Sequence, residues 1–183
     1  TIQELVSDNA DKISFTWVAG LGAAHRLIPD VGMSGADLVG HLNLIHPSRI
    51  QVFGKEELSY YTRFDTKRRI HHLEDLVVGG VPAILIAENM PVPEDLREFC
   101  NLQQIPLLST SIDAAQLIDL LRIYLGKRLA PKTTVHGVFM DVLGVGVLIT
   151  GESGLGKSEL ALELISRGHG LVADDAVELS RTA

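Results

Sequence analysis

The chain has 183 residues, of which 46% are hydrophobic and 5% aromatic, so it can bury a core as one large domain or two small ones. Its formal net charge is −7 at pH 7 with both signs mixed along the sequence, which argues against a broad nucleic-acid surface. Its one cysteine, Cys100, excludes an internal disulfide and paired-cysteine zinc motifs, and we expect a buried, inert thiol. Because no signal peptide or membrane-length apolar run is seen, we expect a cytoplasmic protein that binds neither membrane nor nucleic acid.

Strands and helices are predicted to alternate through the first two-thirds of the sequence. β-Branched and apolar runs indicate the strands, and the continuous run 83–87 is typical of a strand that is covered on both faces. Strands that alternate with helices favour an α/β fold with parallel pairing. The predicted strands are 13–20, 49–54, 83–87 and 105–110, and the predicted helices that follow them are 55–64, 93–104 and 111–126.

The last of these helices carries the clearest periodic pattern. Ser111 is the predicted N-cap, and Gly126 is the predicted end of the helix. We place a domain boundary at about residue 131, which gives an N-terminal α/β domain, 1–130, and a second domain, 131–183. The predicted buried stripe of the helix consists of Ala114, Leu117, Ile118, Leu121 and Leu125.

Histidines and basic residues of the first domain give no clear functional signal. The segment 67–72, which ends in His71 and His72, is either a solvated helix surface or a small patch for an anion or a partner. Three further histidines, His25, His41 and His46, lie in a region that we expect to be loop-rich, and the sequence suggests no partner for them. In the second domain, His169 lies at a predicted helix end, where capping accounts for it.

The strongest motif lies in the second domain. After two or three antiparallel strands with a tight turn at 141–144, the residues 151–158 match G-x-x-x-x-G-K-[ST]. Its glycines permit backbone conformations in which successive N–H groups face an anion. A lysine that reaches phosphates and a serine that ligates Mg²⁺ complete the motif. The loop residues are Gly151, Glu152, Ser153, Gly154, Leu155, Gly156, Lys157 and Ser158, and the helix that follows is predicted to bury Leu160, Ala161 and Leu164.

An acid pair follows that helix. Asp174 and Asp175 end a short apolar segment, where one carboxylate can support a metal and another can accept a proton from a hydroxyl. The alternative is a surface turn with two solvated acids. His136 precedes the strands that lead to the loop, and on pattern alone it is as often structural as catalytic.

The segment 135–178 resembles the HPr kinase/phosphorylase family, since His136, the loop and the acid pair keep the order and spacing of that family. The resemblance continues in "RIQVFGKEELSYY" and "IPLLSTSIDAAQLI" and so covers most of the chain. It implies a first domain that resembles the N-terminal domain of Mur ligases. It also implies a P-loop domain that resembles phosphoenolpyruvate carboxykinase.

The resemblance further implies a bifunctional enzyme that assembles as a homohexamer. Such an enzyme uses ATP and Mg²⁺ to phosphorylate a serine of the phosphocarrier protein HPr, and it removes that phosphate by phosphorolysis, in which inorganic phosphate attacks and pyrophosphate is released. By the same resemblance, Lys157 stabilises the transferred phosphoryl group, Ser158 ligates Mg²⁺ and Asp175 is the base and acid. Asp174 and His136 assist catalysis, and Glu159 extends the polar rim of the site.

The sequence departs from the family in ending soon after the acid pair. We therefore expect a truncated P-loop domain and a chain that is inactive as a kinase when alone. Two other functions remain open from the residues themselves. One is a P-loop phosphotransferase that acts on a small molecule, and the other is a nucleotide-sensing module without enzymatic activity.

Overall fold

Two units make up the chain in a computed structural model that describes residues 1–29 and 34–181: the first is Thr1–Leu129 and the second begins at Ala130. Both units combine helices and strands, which confirms the predicted α/β class. The elements of the first unit are α1 (Ile2–Asp8), β1 (Thr16–Ala19), β2 (Val39–His41), β3 (Ile50–Phe53), α2 (Lys55–Thr62), α3 (Thr66–Val78), β4 (Ile84–Ile86), α4 (Glu94–Leu102), β5 (Leu107–Ser109) and α5 (Ala114–Arg128), with short 3-10 turns at Leu21–Ala23 and Gly35–Leu38.

The sheet of the first unit has the order β1-β5-β4-β3-β2 among the described residues. The strands β2 to β5 are parallel, as predicted, whereas β1 pairs antiparallel with β5 at one edge. The strand β4 is buried throughout, which confirms that both of its faces are covered. The region of His25, His41 and His46, expected to be loop-rich, also contains the strand β2, so that prediction is wrong in part.

Alternate strand residues divide the core of this unit between the two faces of the sheet. Leu85 and Leu108 pack with apolar residues of α1 and α5 in one cluster, while Ile84, Ile86 and Leu107 pack with α2, α3 and α4 in the other. The sheet is therefore covered by helices on both faces, and the carboxyl ends of its parallel strands all lie on the same side of the sheet.

Helix α5 differs from its prediction at both ends. The predicted stripe is buried, but Asp113 rather than Ser111 caps the helix, because the Asp113 carboxylate accepts the N–H groups of Ala115 and Gln116 at 3.0 and 3.1 Å. The helix also continues past Gly126 to Arg128. Its last turn packs closely on the 3-10 turn at Gly35–Leu38, since a β-carbon at Gly35 would meet the Leu125 carbonyl oxygen at 2.3 Å.

The described part of the second unit is built from short antiparallel pairs around one helix. Its elements are β6 (Lys132–His136), β7 (Val138–Val142), β8 (Val145–Ile149), α6 (Lys157–Ser166), β9 (Gly170–Ala173) and β10 (Ala176–Ser180). The hairpin β7–β8 turns at Leu143 and Gly144, which both have positive φ as a two-residue hairpin turn requires. In the described part of this unit the sheets have the orders β8-β7-β9 and β10-β6, which confirms the antiparallel pairing expected before the loop.

Helix α6 packs on the three-stranded sheet through fewer side chains than predicted. Ala161 is buried and Leu164 packs beside it against Val138 and Met140. Leu160, predicted to face inward, is 49% exposed, because the stripe that contacts the sheet is centred on Ala161 and Leu164. Within residues 1–29 and 34–181, none of the helices combines the length and apolar character that crossing a membrane requires.

Candidate functional site

The glycine-rich loop joins β8 to α6, in the strand–loop–helix order that its motif requires. Three of its glycines have positive φ, at 154° for Gly151, 86° for Gly154 and 85° for Gly156. Gly156 is also the N-cap of α6, so the loop ends where the positive end of the helix dipole begins. Backbone of this shape turns N–H groups toward a common point and suits an anion.

Lys157 is held against the loop that precedes it. Its ammonium donates to the carbonyl oxygens of Gly151 and Glu152 at 2.8 and 2.7 Å. Ser158 follows on the first turn of α6 and is exposed. The two side chains that the motif assigns to phosphate and metal therefore lie at the same end of the helix.

The acid pair lies in the connection between β9 and β10. Asp175 has a φ of 68°, a left-handed conformation that non-glycine residues seldom adopt. The Asp174 carboxylate accepts the Asp175 N–H at 2.9 Å, and the Asp174 carbonyl oxygen accepts the Ala176 N–H at 2.9 Å. These local hydrogen bonds fix the turn in which both carboxylates are presented.

His136 is brought to the acid pair by strand pairing. It ends β6, opposite Ala176 in the antiparallel pair β6–β10. Its Nδ1 lies 3.2 Å from the Asp175 carbonyl oxygen, and the Gly137 N–H donates to the same oxygen at 3.2 Å. Because a carbonyl oxygen only accepts, Nδ1 must carry the proton in this contact, which leaves Nε2 of a neutral imidazole as an acceptor.

One cavity of about 740 Å³ in the second unit collects most of the predicted site residues. Glu152 and Leu155 do not line it, and the Leu155 side chain is 70% exposed. The residues that line the cavity are His136, Gly137, Val138, Gly151, Ser153, Gly154, Gly156, Lys157, Ser158, Glu159, Asp174 and Asp175.

Gly137 is a site residue that the sequence analysis missed. A β-carbon there would meet the Ile149 carbonyl oxygen at 2.5 Å, so only glycine allows the corner after β6 to approach the end of β8. The signal was the glycine that directly follows His136, but its meaning depends on a contact with a strand more than ten residues away.

The charges around the cavity fit a phosphate ligand accompanied by a divalent cation. The loop amides and Lys157 favour an anion, whereas Glu159, Asp174 and Asp175 on the same cavity would repel phosphate oxygens. A divalent cation between the phosphate oxygens and the carboxylates would remove that repulsion. In the part of the chain that the structure describes, no group of three His, Cys, Asp or Glu side chains is arranged to hold a metal ion.

Fold and site together define an α/β protein with a glycine-rich loop of the phosphate-binding type. Family models cover almost the whole sequence: "HPr Serine kinase N terminus" matches residues 1–125 and "HPr Serine kinase C-terminal domain" matches residues 127–183. The chain belongs to the HPr serine kinase family.

Two curated relatives of this chain carry the same name. The HPr kinase/phosphorylase of Bordetella avium is 75% identical over all 183 residues, which are 59% of that protein. The HPr kinase/phosphorylase of Cupriavidus necator is 54% identical over 186 aligned residues, which cover 99% of this chain and 57% of that protein. The chain thus spans somewhat more than half the length of the curated relatives it matches.

Proposed function

We propose that this chain supplies the phosphate-binding site of a bifunctional enzyme that phosphorylates a serine of HPr with ATP and dephosphorylates it by phosphorolysis. The observation that carries the proposal is the shared cavity of the glycine-rich loop, His136 and the acid pair. A loop alone would support nucleotide binding only, whereas a carboxylate in the same cavity adds a group that can move a proton.

Substrate phosphates would be held by the loop. The N–H groups of Gly151 to Ser158 would surround them, and the Lys157 ammonium would exchange its bonds to the loop carbonyls for bonds to phosphate oxygens. The Ser158 hydroxyl, with Asp174 nearby, is the proposed protein contact for Mg²⁺. When bound, Mg²⁺ would neutralise phosphate charge that the three carboxylates of the cavity otherwise oppose.

Asp175 is the proposed base in the forward direction. Its carboxylate would take the proton from the serine hydroxyl of HPr as that oxygen bonds to the γ-phosphorus of ATP and ADP leaves. In the reverse direction an oxygen of inorganic phosphate bonds to the phosphoserine phosphorus. Asp175 then returns a proton to the departing serine oxygen, and the products are serine and pyrophosphate. One residue serves both directions because each reaction reverses the other's proton transfer.

His136 and Asp174 would keep Asp175 in position. His136 donates a hydrogen bond to the Asp175 carbonyl oxygen, and the Asp174 carboxylate accepts one from the Asp175 N–H. These bonds offset the cost of the left-handed conformation, which is about 1–3 kcal/mol. Among the described residues His136 Nε2 has no hydrogen-bond partner, so it would be available to the substrates in an auxiliary catalytic role. A cytoplasmic homohexamer is proposed on the family resemblance alone.

A chimera tests the proposal with this chain's own residues in a full-length protein. The 183 residues replace the matching segment of the Bordetella avium relative, and the chimera is incubated with HPr, Mg²⁺ and ATP, then with inorganic phosphate. We expect one phosphoryl group on a serine of HPr by mass spectrometry and its loss, with release of pyrophosphate, after phosphate is added. Unmodified HPr, while the unaltered relative is active, would refute the kinase assignment. Release of orthophosphate instead of pyrophosphate would refute phosphorolysis.

A further inference from the structure

The first unit contains a cavity of about 920 Å³ to which the proposed function gives no role. Its wall includes residues 42–45, which follow β2, and most of the residues between Phe53, at the end of β3, and Arg63, directly after α2; side chains of α3 close it. The cavity therefore lies at the carboxyl ends of two neighbouring parallel strands. Open α/β sheets bind their ligands outside the carboxyl ends of their strands.

The floor of this cavity is apolar and one wall is aromatic. Phe53, Leu73 and Leu76 line it and belong to the buried core. The Tyr60 ring is 52% exposed and is held edge-to-face against Phe64, with ring centroids 4.9 Å apart. A ring held on one side and open on the other offers a stacking surface to a flat ligand.

The polar groups of the cavity leave positive charge available. Lys55 and Arg63 line it, and neither forms an ion pair within residues 1–29 and 34–181. Of the two carboxylates on the wall, Glu57 is engaged, since it contacts His41 Nδ1 at 2.9 Å and accepts the Gly54 N–H at 2.9 Å. Glu57 keeps its charge, so Glu56 and Glu57 together balance the two cations in net charge, but neither cation is held in an ion pair with them.

The start of α2 is not the anion site, because carboxylates already satisfy it. Glu57 accepts the N–H of Gly54, and Glu88, at the end of β4, accepts the N–H of Lys55 at 2.8 Å. An anionic group in the cavity would therefore be held by a side chain, and the two candidates are Lys55, the first residue of α2, and Arg63, directly after its last residue.

We propose that this cavity is a binding site for a small ring-bearing anion. The ring packs against Tyr60 and the apolar floor, and the anionic group pairs with Arg63, which is one turn from Tyr60, while Lys55 adds positive charge at the other end of α2. The volume falls within the range of small-molecule sites, roughly 300–1,000 Å³. The basic segment 67–72 contributes only His72, whose ring packs edge-to-face on Phe64 at 5.0 Å and lines the cavity, while Arg69 turns away to pair with Asp95 at 3.2 Å.

Three matched probes test the proposal by NMR on the ¹⁵N-labelled 183-residue chain: phenylacetate, which has ring and charge, benzyl alcohol, which has the ring, and acetate, which has the charge. We expect phenylacetate to shift the amides of residues 42–45 and 53–63 with a dissociation constant that is roughly millimolar for a ligand of this size. The other two should bind at least about tenfold more weakly. Benzyl alcohol that binds as tightly as phenylacetate, shifts that map elsewhere, or no binding of phenylacetate would overturn the proposal.

Three substitutions with the same charge change, two in the cavity and one away from it, separate a local contact from a general electrostatic effect. Arg63→Gln removes a cation from the cavity and should weaken phenylacetate about tenfold, and Lys55→Gln should act in the same direction. Arg122→Gln removes an exposed cation from α5, on the opposite face of the sheet, and should leave the affinity unchanged. Equal weakening by Arg63→Gln and Arg122→Gln would contradict the assigned contact. All three side chains are exposed, so the fold is expected to survive each change.

Discussion

Asp175 combines a reactive side chain with a backbone conformation that few residues adopt. Its φ of 68° is supported by the Asp174 carboxylate on one side and by the His136 imidazole on the other. Strained residues of this kind persist where the surrounding structure fixes them, and they are concentrated at functional sites. The direction of the Asp175 carboxylate is therefore set by its neighbours in the turn and in β6.

Replacing Asp175 with asparagine separates proton transfer from nucleotide binding. Asparagine tolerates positive φ as well as aspartate does, so the turn should be kept while the base is lost. We expect phosphorylation of HPr by the chimera to fall at least about 100-fold. Nucleotide affinity should stay the same or rise, because a carboxylate near phosphates repels them. Initial rates and a fluorescent-nucleotide titration measure the two effects.

Glu163→Gln is the control for that experiment. It removes the same charge from the same unit, but Glu163 pairs with Arg167 on α6 and does not line the cavity. Its rate and affinity should match those of the unsubstituted chimera. An Asp175→Asn rate as high as that of this control would exclude Asp175 as the base.

Tyr61 makes the stability of the first unit sensitive to alkaline pH. Its ring is buried and its hydroxyl donates to Asp95 Oδ2 at 3.2 Å. Burial, followed by the charge and hydrogen bond of Asp95, raises the pKa of the Tyr61 hydroxyl well above its usual value. The unfolded chain ionises this tyrosine at about pH 10, whereas the folded chain keeps it neutral. Its contribution to stability is therefore complete below about pH 10 and is lost as the pH rises further.

The variant Tyr61→Phe tests the hydrogen bond of this hydroxyl at neutral pH and its ionisation at alkaline pH. At neutral pH it loses one hydrogen bond, so the free energy of unfolding should fall by about 1 kcal/mol. At about pH 10.5 the unsubstituted protein is itself destabilised through Tyr61, and the difference should shrink. Urea unfolding followed by the fluorescence of Trp17, the only tryptophan of the sequence and part of β1, measures it. A difference that grows with pH would contradict the buried neutral hydroxyl.

At the scale of single elements, the N-terminus of α5 offers a direct choice between two capping residues. The sequence favours Ser111, but Asp113 accepts both hydrogen bonds. We expect Asp113→Ala to lower the free energy of unfolding of the first unit by about 1 kcal/mol, because two amides lose their acceptor. Ser111→Ala should change it by less than about 0.5 kcal/mol, as an ordinary surface substitution does. The reverse order in urea unfolding would restore Ser111 as the cap.

Local patterns predicted those elements whose causes are local. The run 83–87, the stripe of α5 and the glycine-rich loop each carry their signal within a few residues. The loop also lies between the strand and the helix that its motif requires. The likeness of the two domains to Mur ligases and to phosphoenolpyruvate carboxykinase stays a prediction.

What the sequence did not predict depends on residues that are far apart along the chain. The strand β2 is three residues long and is stabilised by its pairing with β3, and His41 at its end finds Glu57 on α2. In the same way, His136 reaches Asp175 only because β6 pairs with β10, almost forty residues later. A pattern read along one segment contains neither partner.

At the scale of the whole molecule, the two units differ in how much apolar surface they bury. Both faces of the first sheet are covered by helices, whereas the cluster under α6 contains three buried residues, Val138, Met140 and Ala161, in the described part of the second unit. Many apolar side chains of that unit are exposed, among them Leu162 at 65% and Val172 at 61%. Since burial provides most of the stabilising free energy, the second unit should open more often.

Amide hydrogen exchange of the 183-residue chain tests this difference. The strands β4 and β7 make a matched pair, because each lies inside its sheet and is hydrogen-bonded to a strand on both sides. Any difference between their amides then reports burial and opening rather than the number of hydrogen bonds. We expect the amides of β4 to be protected at least about 100-fold more than those of β7, which is a difference of roughly 3 kcal/mol in opening free energy. Addition of ATP and Mg²⁺ should slow exchange in β7 and leave β4 unchanged, because ligand binding stabilises the unit that contains the site. Equal protection of the two strands without ligand would show that the small core of the second unit does not limit its stability.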